Sequence, residues 1–78
     1  MPTIENIGPY KFFFYSAEGN EPPHVHVQRD RCTAKFWLSP VRLARSRRFS
    51  DHELRSVQNL VEENKEKILE VWNEHFNC

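Results

Sequence analysis

The spacing of apolar residues changes near residue 50, and this change constrains the fold more than any other feature of the sequence. Before that point apolar residues alternate with polar ones over short segments, as from His24 to Gln28, which is typical of half-buried strands. After it, glycine and proline are absent and apolar residues recur every three or four positions from Leu54 to Phe76, as in a helix with one apolar stripe. Each half can bury its apolar side against the other, so we predict an α+β domain.

Three segments of the first half have the composition of strands and are bounded by turn residues. They are Tyr10–Ser16, His24–Gln28 and Thr33–Leu38. We therefore expect a small antiparallel sheet of three or four strands.

The helical half begins with a capping signal. Ser50 and Glu53 have the spacing of a capping box, in which the serine side chain accepts a backbone N–H and the glutamate reaches back. The apolar pattern is weakest at Asn64-Lys65. We therefore expect either one bent helix or two consecutive helices, packed on one face of the sheet. We thus expect a single domain, 1–78, made of a strand-rich half (1–40), a basic connection (41–49) and a helical half (50–77).

Size and composition exclude several classes of protein. A domain of 78 residues buries only about 60% of the surface that its unfolded chain exposes. The two cysteines, Cys32 and Cys78, are too few for a disulfide framework or a metal quartet. The sequence has no apolar run near the roughly 20 residues that cross a bilayer, and we expect no export signal. We expect a protein of the reducing cytoplasm, without membrane contact and without a cofactor.

The zero net charge hides two oppositely charged halves. Residues 1–49 carry eight Lys/Arg and four Asp/Glu, whereas residues 50–78 carry three and seven. The aromatic run from Phe12 to Tyr15 must also turn at least one large ring away from the core of a one-faced sheet. Both features favour association, so we expect a small partner protein or a homo-oligomer.

Two histidines fall on one side of a predicted hairpin. If the chain turns at Asp30-Arg31, His26 lies opposite Lys35 and His24 opposite Trp37 on one face, while the valines take the other. This grouping of imidazoles, an ammonium and an indole suits a phosphate or a nucleobase.

The candidate site follows from that grouping. We assign catalytic roles to His24, His26 and Lys35, because two imidazoles can share proton transfer at neutral pH while an ammonium meets negative charge on a phosphate. Binding roles go to the neighbouring indole and to the arginines of the turn and the connection. These residues are Arg31, Trp37, Arg42, Arg45, Arg47 and Arg48.

Two other interpretations of the histidines stay open. They can pack within the fold and bond backbone groups, or they can bind a metal ion with Glu21 as the nearest third ligand.

Four segments together resemble the bacterial family called domain of unknown function 4160. They are Met1-Pro2-Thr3-Ile4, Phe12-Phe13-Phe14-Tyr15, the string Glu21-Pro22-Pro23-His24-Val25-His26-Val27, and Ile68-Leu69-Glu70-Val71-Trp72-Asn73. The resemblance implies a small single-domain protein encoded beside another small protein, in an arrangement like a toxin–antitoxin module with this chain as the toxin.

Three functions are therefore considered. The first is a toxin-like component that acts on nucleic acid through the His/Lys/Arg surface. The alternatives are a non-enzymatic protein-binding or regulatory module, and a small metal-binding protein that uses the His-x-His pair.

Overall fold

The change of spacing marks the boundary between a sheet and a helical layer. The computed structural model describes residues 3–15 and 20–76, so Ser16 of the predicted strand Tyr10–Ser16, the loop residues 17–19 and both chain ends lie outside the described residues. The elements in chain order are β1 (Thr3–Ile7), β2 (Tyr10–Phe13), β3 (His24–Arg29), β4 (Cys32–Leu38), β5 (Val41–Arg47), α1 (Asp51–Glu63) and α2 (Lys65–Phe76).

Within residues 3–15 and 20–76 the sheet has five strands in the order β1-β2-β3-β4-β5, with every neighbouring pair antiparallel. The prediction of three or four strands is therefore wrong. The missed strands, β1 and β5, are the two edges of the sheet. An edge strand needs one partner only and tolerates charge. The arginine-rich segment 41–49, predicted as a connection, therefore holds all of β5.

The predicted register between β3 and β4 is confirmed. His24 lies opposite Trp37 and His26 opposite Lys35, and the strands turn at Asp30-Arg31. Asp30 has a φ of 54°, a left-handed conformation in which aspartate is several-fold enriched among residues other than glycine.

One side of the sheet, called the covered face here, packs against the helices. Its buried residues join buried residues of both helices and the segment before α1 in a single hydrophobic cluster. They are Phe12, Val25, Val27, Ala34, Phe36 and Leu38 from the sheet with Phe49, Val57, Val61 and Ile68. The opposite side of the sheet is called the outer face.

The helical half is two consecutive helices. Asn64 lies between them, and both its backbone N–H and its side-chain amide donate to the carbonyl of Leu60, at 3.1 and 2.8 Å. These bonds satisfy one of the last carbonyls of α1. The Asn64 backbone itself, with φ of −107° and ψ of 11°, departs from helical geometry and separates α1 from α2, which begins at Lys65.

The start of α1 is tied to the sheet. The Ser50 hydroxyl accepts from the Glu53 backbone N–H at 3.1 Å, as a capping box requires. The Glu53 carboxylate, however, accepts from Arg29 Nε at 2.6 Å, from Arg29 Nη2 at 2.7 Å and from the Tyr10 hydroxyl at 2.8 Å. The hydrogen bonds from Arg29 and then from Tyr10 lower the pKa of Glu53, and the bond with Glu53 raises the pKa of Arg29.

A second cluster, made of aromatic rings, lies at the far end of α2. Trp72 is almost fully buried, and its ring lies 4.3 Å from that of Phe76, 4.9 Å from that of His24 and 5.4 Å from that of Phe14. The last two turns of α2 therefore pack on rings rather than on the aliphatic cluster. Among the described residues, no helix has both the length and the apolar character to cross a membrane.

Candidate functional site

The strand pairing brings four chemically distinct side chains into one row across the outer face. Phe13 of β2 lies opposite His26 of β3, His26 lies opposite Lys35 of β4, and Lys35 lies opposite Arg45 of β5. Residues two apart on a strand point to the same side, so Trp37 belongs to the same face.

A bulge in β5 decides where the arginines point. Lys35 pairs with Arg45 but the next residue, Phe36, pairs with Leu43, so Ala44 is an extra residue in β5. In a regular strand residues 42 and 45 would lie on opposite faces; the extra residue restores them to the same one.

Arg42, Arg45 and Arg47 therefore all lie on the outer face, opposite Trp37, Lys35 and Thr33 respectively. The three arginines are exposed, and none of the ion pairs among residues 3–15 and 20–76 involves them.

His24 is fully buried at the edge of the aromatic cluster. Its Nδ1 lies 3.0 Å from the Pro22 carbonyl oxygen, which can only accept, so we assign the ring proton in that bond to Nδ1. Its ring also lies 5.7 Å from that of Trp37 and 4.9 Å from that of Trp72. These contacts agree with the interpretation in which the His24 imidazole packs within the fold and bonds a backbone group.

His26 has different surroundings. It retains 8% of its surface, and its ring stacks on Phe13 at 5.4 Å with 19° between the planes. The Tyr15 ring meets it edge-on at 4.9 Å. His26 thus lines an open depression rather than the interior.

Lys35 is held by a carboxylate. Its Nζ lies 2.7 Å from Glu21 Oε1 and 4.6 Å from the centre of the Trp37 ring. The Glu21 charge offsets that of Lys35, whereas the β5 arginines on this face have no carboxylate partner among residues 3–15 and 20–76.

Among the residues that the structure describes, two depressions of about 340 Å³ each lie on the outer face. The first depression lies over the row described above, and its lining includes Tyr15, His26, Lys35, Arg45 and Arg47. The second depression lies towards the β4–β5 turn. It is lined by Pro22, Pro23, Trp37, Ser39, Pro40 and Arg42. Both volumes lie within the range of pockets that take small ligands.

Two of the predicted binding residues lie apart from the depressions. Arg31 is exposed in the β3–β4 turn, and Arg48 is exposed just beyond β5 with a φ of 70°. Neither lines the first or the second depression.

The proposed metal ligands are only partly grouped. Glu21 Oε1 lies 3.9 Å from His24 Nδ1, but the same oxygen binds Lys35. Within the part of the chain that the structure describes, no group of three or more His, Cys, Asp or Glu side chains is placed to hold a metal ion.

Sequence reasoning missed Phe13 and Tyr15 as site residues. The signal was present, because the aromatic run had to turn a ring away from the core, and alternation along β2 sends Phe13 to the face of His26. Tyr15, which is 46% exposed, follows it two residues later and lines the first depression.

A family model called domain of unknown function (DUF4160) matches residues 10–73, which is most of the chain. The chain belongs to this family. The matched segment runs from β2 into α2 and so includes both histidines, Lys35, Trp37 and all of β5. Searches of curated proteins and of solved structures found no match.

Proposed function

We propose that this protein is the toxin-like component of a bacterial toxin–antitoxin module, that it works in the cytoplasm, and that it acts on nucleic acid through the outer face of its sheet. The observation that carries the proposal is the bulge in β5, which puts Arg42, Arg45 and Arg47 on the same side as the aromatic rings. Guanidinium groups bind phosphates, and neighbouring aromatic rings stack with bases.

The arginines supply the electrostatic part of the proposed contact. All three are exposed, and none takes part in an ion pair with the described carboxylates, so a phosphate that binds them does not have to displace any of those carboxylates. Arginine also matches a phosphate with two parallel N–H donors. Lys35 is a weaker candidate for this contact, because a phosphate would compete with Glu21 at 2.7 Å.

The rings supply the part that recognises a base. Tyr15 is 46% exposed in the first depression, and Trp37 is half-buried in the second. Bases stack on such rings with little sequence preference, because every base has a π face.

Within this proposal the two histidines have different roles. His26 lines the first depression and can exchange a proton with a bound phosphodiester, whereas His24 is fully buried against Trp72 and bonded to Pro22. If the protein cleaves its ligand, His26→Asn abolishes turnover and leaves binding largely intact. If it only binds, the same variant leaves the biological effect in place.

Controlled expression in a bacterial host tests the proposal. We expect growth arrest, relieved by the small protein encoded beside this chain. The double variant Arg45→Ala/Arg47→Ala should lose the arrest, and the control Arg55→Ala/Lys65→Ala, which removes two positive charges from the helices, should keep it. Normal growth with full-length folded protein present, or equal arrest by both double variants, would refute the proposal.

The edge of β5 favours a second candidate, a non-enzymatic protein-binding module. Among the described strands β5 pairs with β4 only, and Leu43 in it is 37% exposed, so an added strand from a partner or a second copy could bond its other side. The basic side chains of β5 would then favour an acidic strand. Sedimentation and pull-down that find a monomer with no bound partner would exclude this candidate.

A further inference from the structure

We propose, as an extension that rests on the proposed function, that the outer face takes single-stranded nucleic acid with two neighbouring bases held apart. One base stacks on Tyr15 in the first depression, and the next stacks on Trp37 in the second.

Each depression holds the parts that a single nucleotide needs. The first combines Tyr15 with Arg45, and the second combines Trp37 with Arg42. In both cases an accessible ring lies in the same depression as an exposed arginine, so a base and its phosphate can bind together. The bulge is responsible for this repetition, because without it Arg42 would lie on the face opposite Arg45.

The two depressions are neighbours rather than separate sites. Lys35 lines the first, and its Nζ lies 4.6 Å from the centre of the Trp37 ring, which lines the second. The ammonium group, with Glu21 as its partner, therefore stands at the boundary between them. A nucleic-acid strand that leaves the first depression past Lys35 therefore reaches the second depression directly.

The spacing of the depressions selects a single strand. Tyr15 follows β2 and Trp37 lies in β4, with β3 between them. Because neighbouring strands are about 4.8 Å apart, the backbones that carry the two rings are roughly 10 Å apart. Bases stacked in one strand of B-form DNA are about 3.4 Å apart, so two bases that occupy both depressions cannot remain stacked on each other. A duplex keeps its bases stacked and paired, so it can offer this face only its phosphates. A single strand can splay its bases apart.

Titration of the protein with nucleic acids, followed by tryptophan emission, tests the inference. The probes are uridine monophosphate, the uridine dinucleotide, a short oligouridylate, the matching oligothymidylate and a blunt RNA duplex. We expect affinity to rise from the monophosphate to the dinucleotide, and the duplex to bind about tenfold more weakly than the oligouridylate at moderate salt, since it lacks both stacking contacts. Quenching should come from Trp37: Trp37→Phe alters it, and Trp72→Phe, at a buried ring, leaves it in place.

Two stacking variants sharpen the test. Trp37→Ala and Tyr15→Ala should each weaken oligouridylate binding about fivefold or more while changing duplex binding little. Tyr15→Ala is the variant less expected to affect folding, because the Tyr15 ring is 46% exposed.

The outcomes separate this inference from the function on which it rests. Equal affinity for duplex and single strand, with no effect of Trp37→Ala or Tyr15→Ala, would overturn the inference and leave nucleic-acid binding in place. Failure of every nucleic-acid probe, with polyglutamate binding to the β5 arginines instead, would overturn both.

Discussion

The two faces of the sheet are built from the same strands but bury different chemistry. On the covered face the buried residues of β3 and β4 are aliphatic or aromatic and meet Val57, Val61 and Ile68 of the helices. On the outer face the buried residues of the same strands are His24, His26 and Lys35. Burial alone therefore does not distinguish the core of this domain from its candidate site. The two are distinguished by what each buried side chain contacts: apolar side chains of the helices on the covered face, and aromatic rings or a carboxylate on the outer face.

The comparison also shows how one extra residue changes a surface. β4 alternates regularly, so its outer face follows directly from the sequence, whereas β5 gains its row of arginines through the bulge at Ala44. A bulge next to a candidate site re-aims side chains that regular pairing would send to the other side.

The largest expected effect comes from breaking the covered face. Phe36→Ala should lower the free energy of unfolding by about 3–5 kcal/mol, because it leaves a cavity in the hydrophobic cluster. Thr33→Ala, on the outer face of the same strand, should cost less than about 1 kcal/mol. Urea unfolding with an unchanged m value measures both. Similar losses in the two variants would mean that the faces are not distinct in this way.

The two histidines provide the next test. His24→Ala should cost about 2–3 kcal/mol, because the ring is fully buried among Trp37 and Trp72, while His26→Ala should cost about 1 kcal/mol. The order reverses for ligand binding at a temperature where both variants are folded: His26→Ala should weaken it more. Thermal unfolding and an oligonucleotide titration of the same samples give the two rankings, and a single ranking for both properties would contradict the assignment.

A smaller effect is expected in the salt dependence of binding. Three phosphate contacts, from Arg42, Arg45 and Arg47, predict a slope of log K against log salt of about −2 for a single strand. Arg47→Ala should make that slope shallower by about 0.7, because one contact is lost. The control Arg55→Ala, on α1, should leave the slope as it is. A slope near zero in the unmodified protein would remove the arginines from the interface.

The smallest effect concerns the link between the sheet and α1. The pKa of Glu53 is lowered by Arg29 and Tyr10, so the folded state favours the carboxylate. The stabilisation is present above the usual value of 4.5 and disappears as the pH falls through the lower folded pKa. Glu53→Gln should destabilise the domain at neutral pH and lose less stability than the unmodified protein below about pH 4.5. Glu63→Gln serves as the control in a pH series of thermal unfolding, and identical pH profiles for Glu53→Gln and the unmodified protein would speak against the link.

The sequence predicted the centre of the fold better than its edges. The β3–β4 register was predictable because one pairing sorts the valines onto one face and the histidines onto the other. β1 and β5 were missed because the residues of these edge strands do not alternate between apolar and polar faces in the same way. The exposed, arginine-rich residues of β5 predict a connection instead of a strand. The separation of α1 from α2 was predictable only as a weak position at Asn64, because the Asn64 backbone conformation that separates them has no signal in the apolar pattern.

The candidate site was predictable in composition but not in geometry. His26, Lys35 and Trp37 follow from alternation along two strands. The pairing of Lys35 with Glu21 joins residues from a loop and a strand, and no spacing rule indicates it. The common face of Arg42 and Arg45 depends on a bulge, whose position is fixed by the pairing of two strands rather than by either one alone.

The most direct measurement is amide chemical-shift mapping of the protein during titration with a short oligouridylate. The account predicts that the shifts concentrate at Tyr15, His26, Lys35, Trp37 and Arg45 on the outer face, and that Val57, Val61 and Ile68 behind the covered face stay unchanged. Shifts confined to the helices, or no shifts at oligonucleotide concentrations that saturate known single-strand binders, would contradict it.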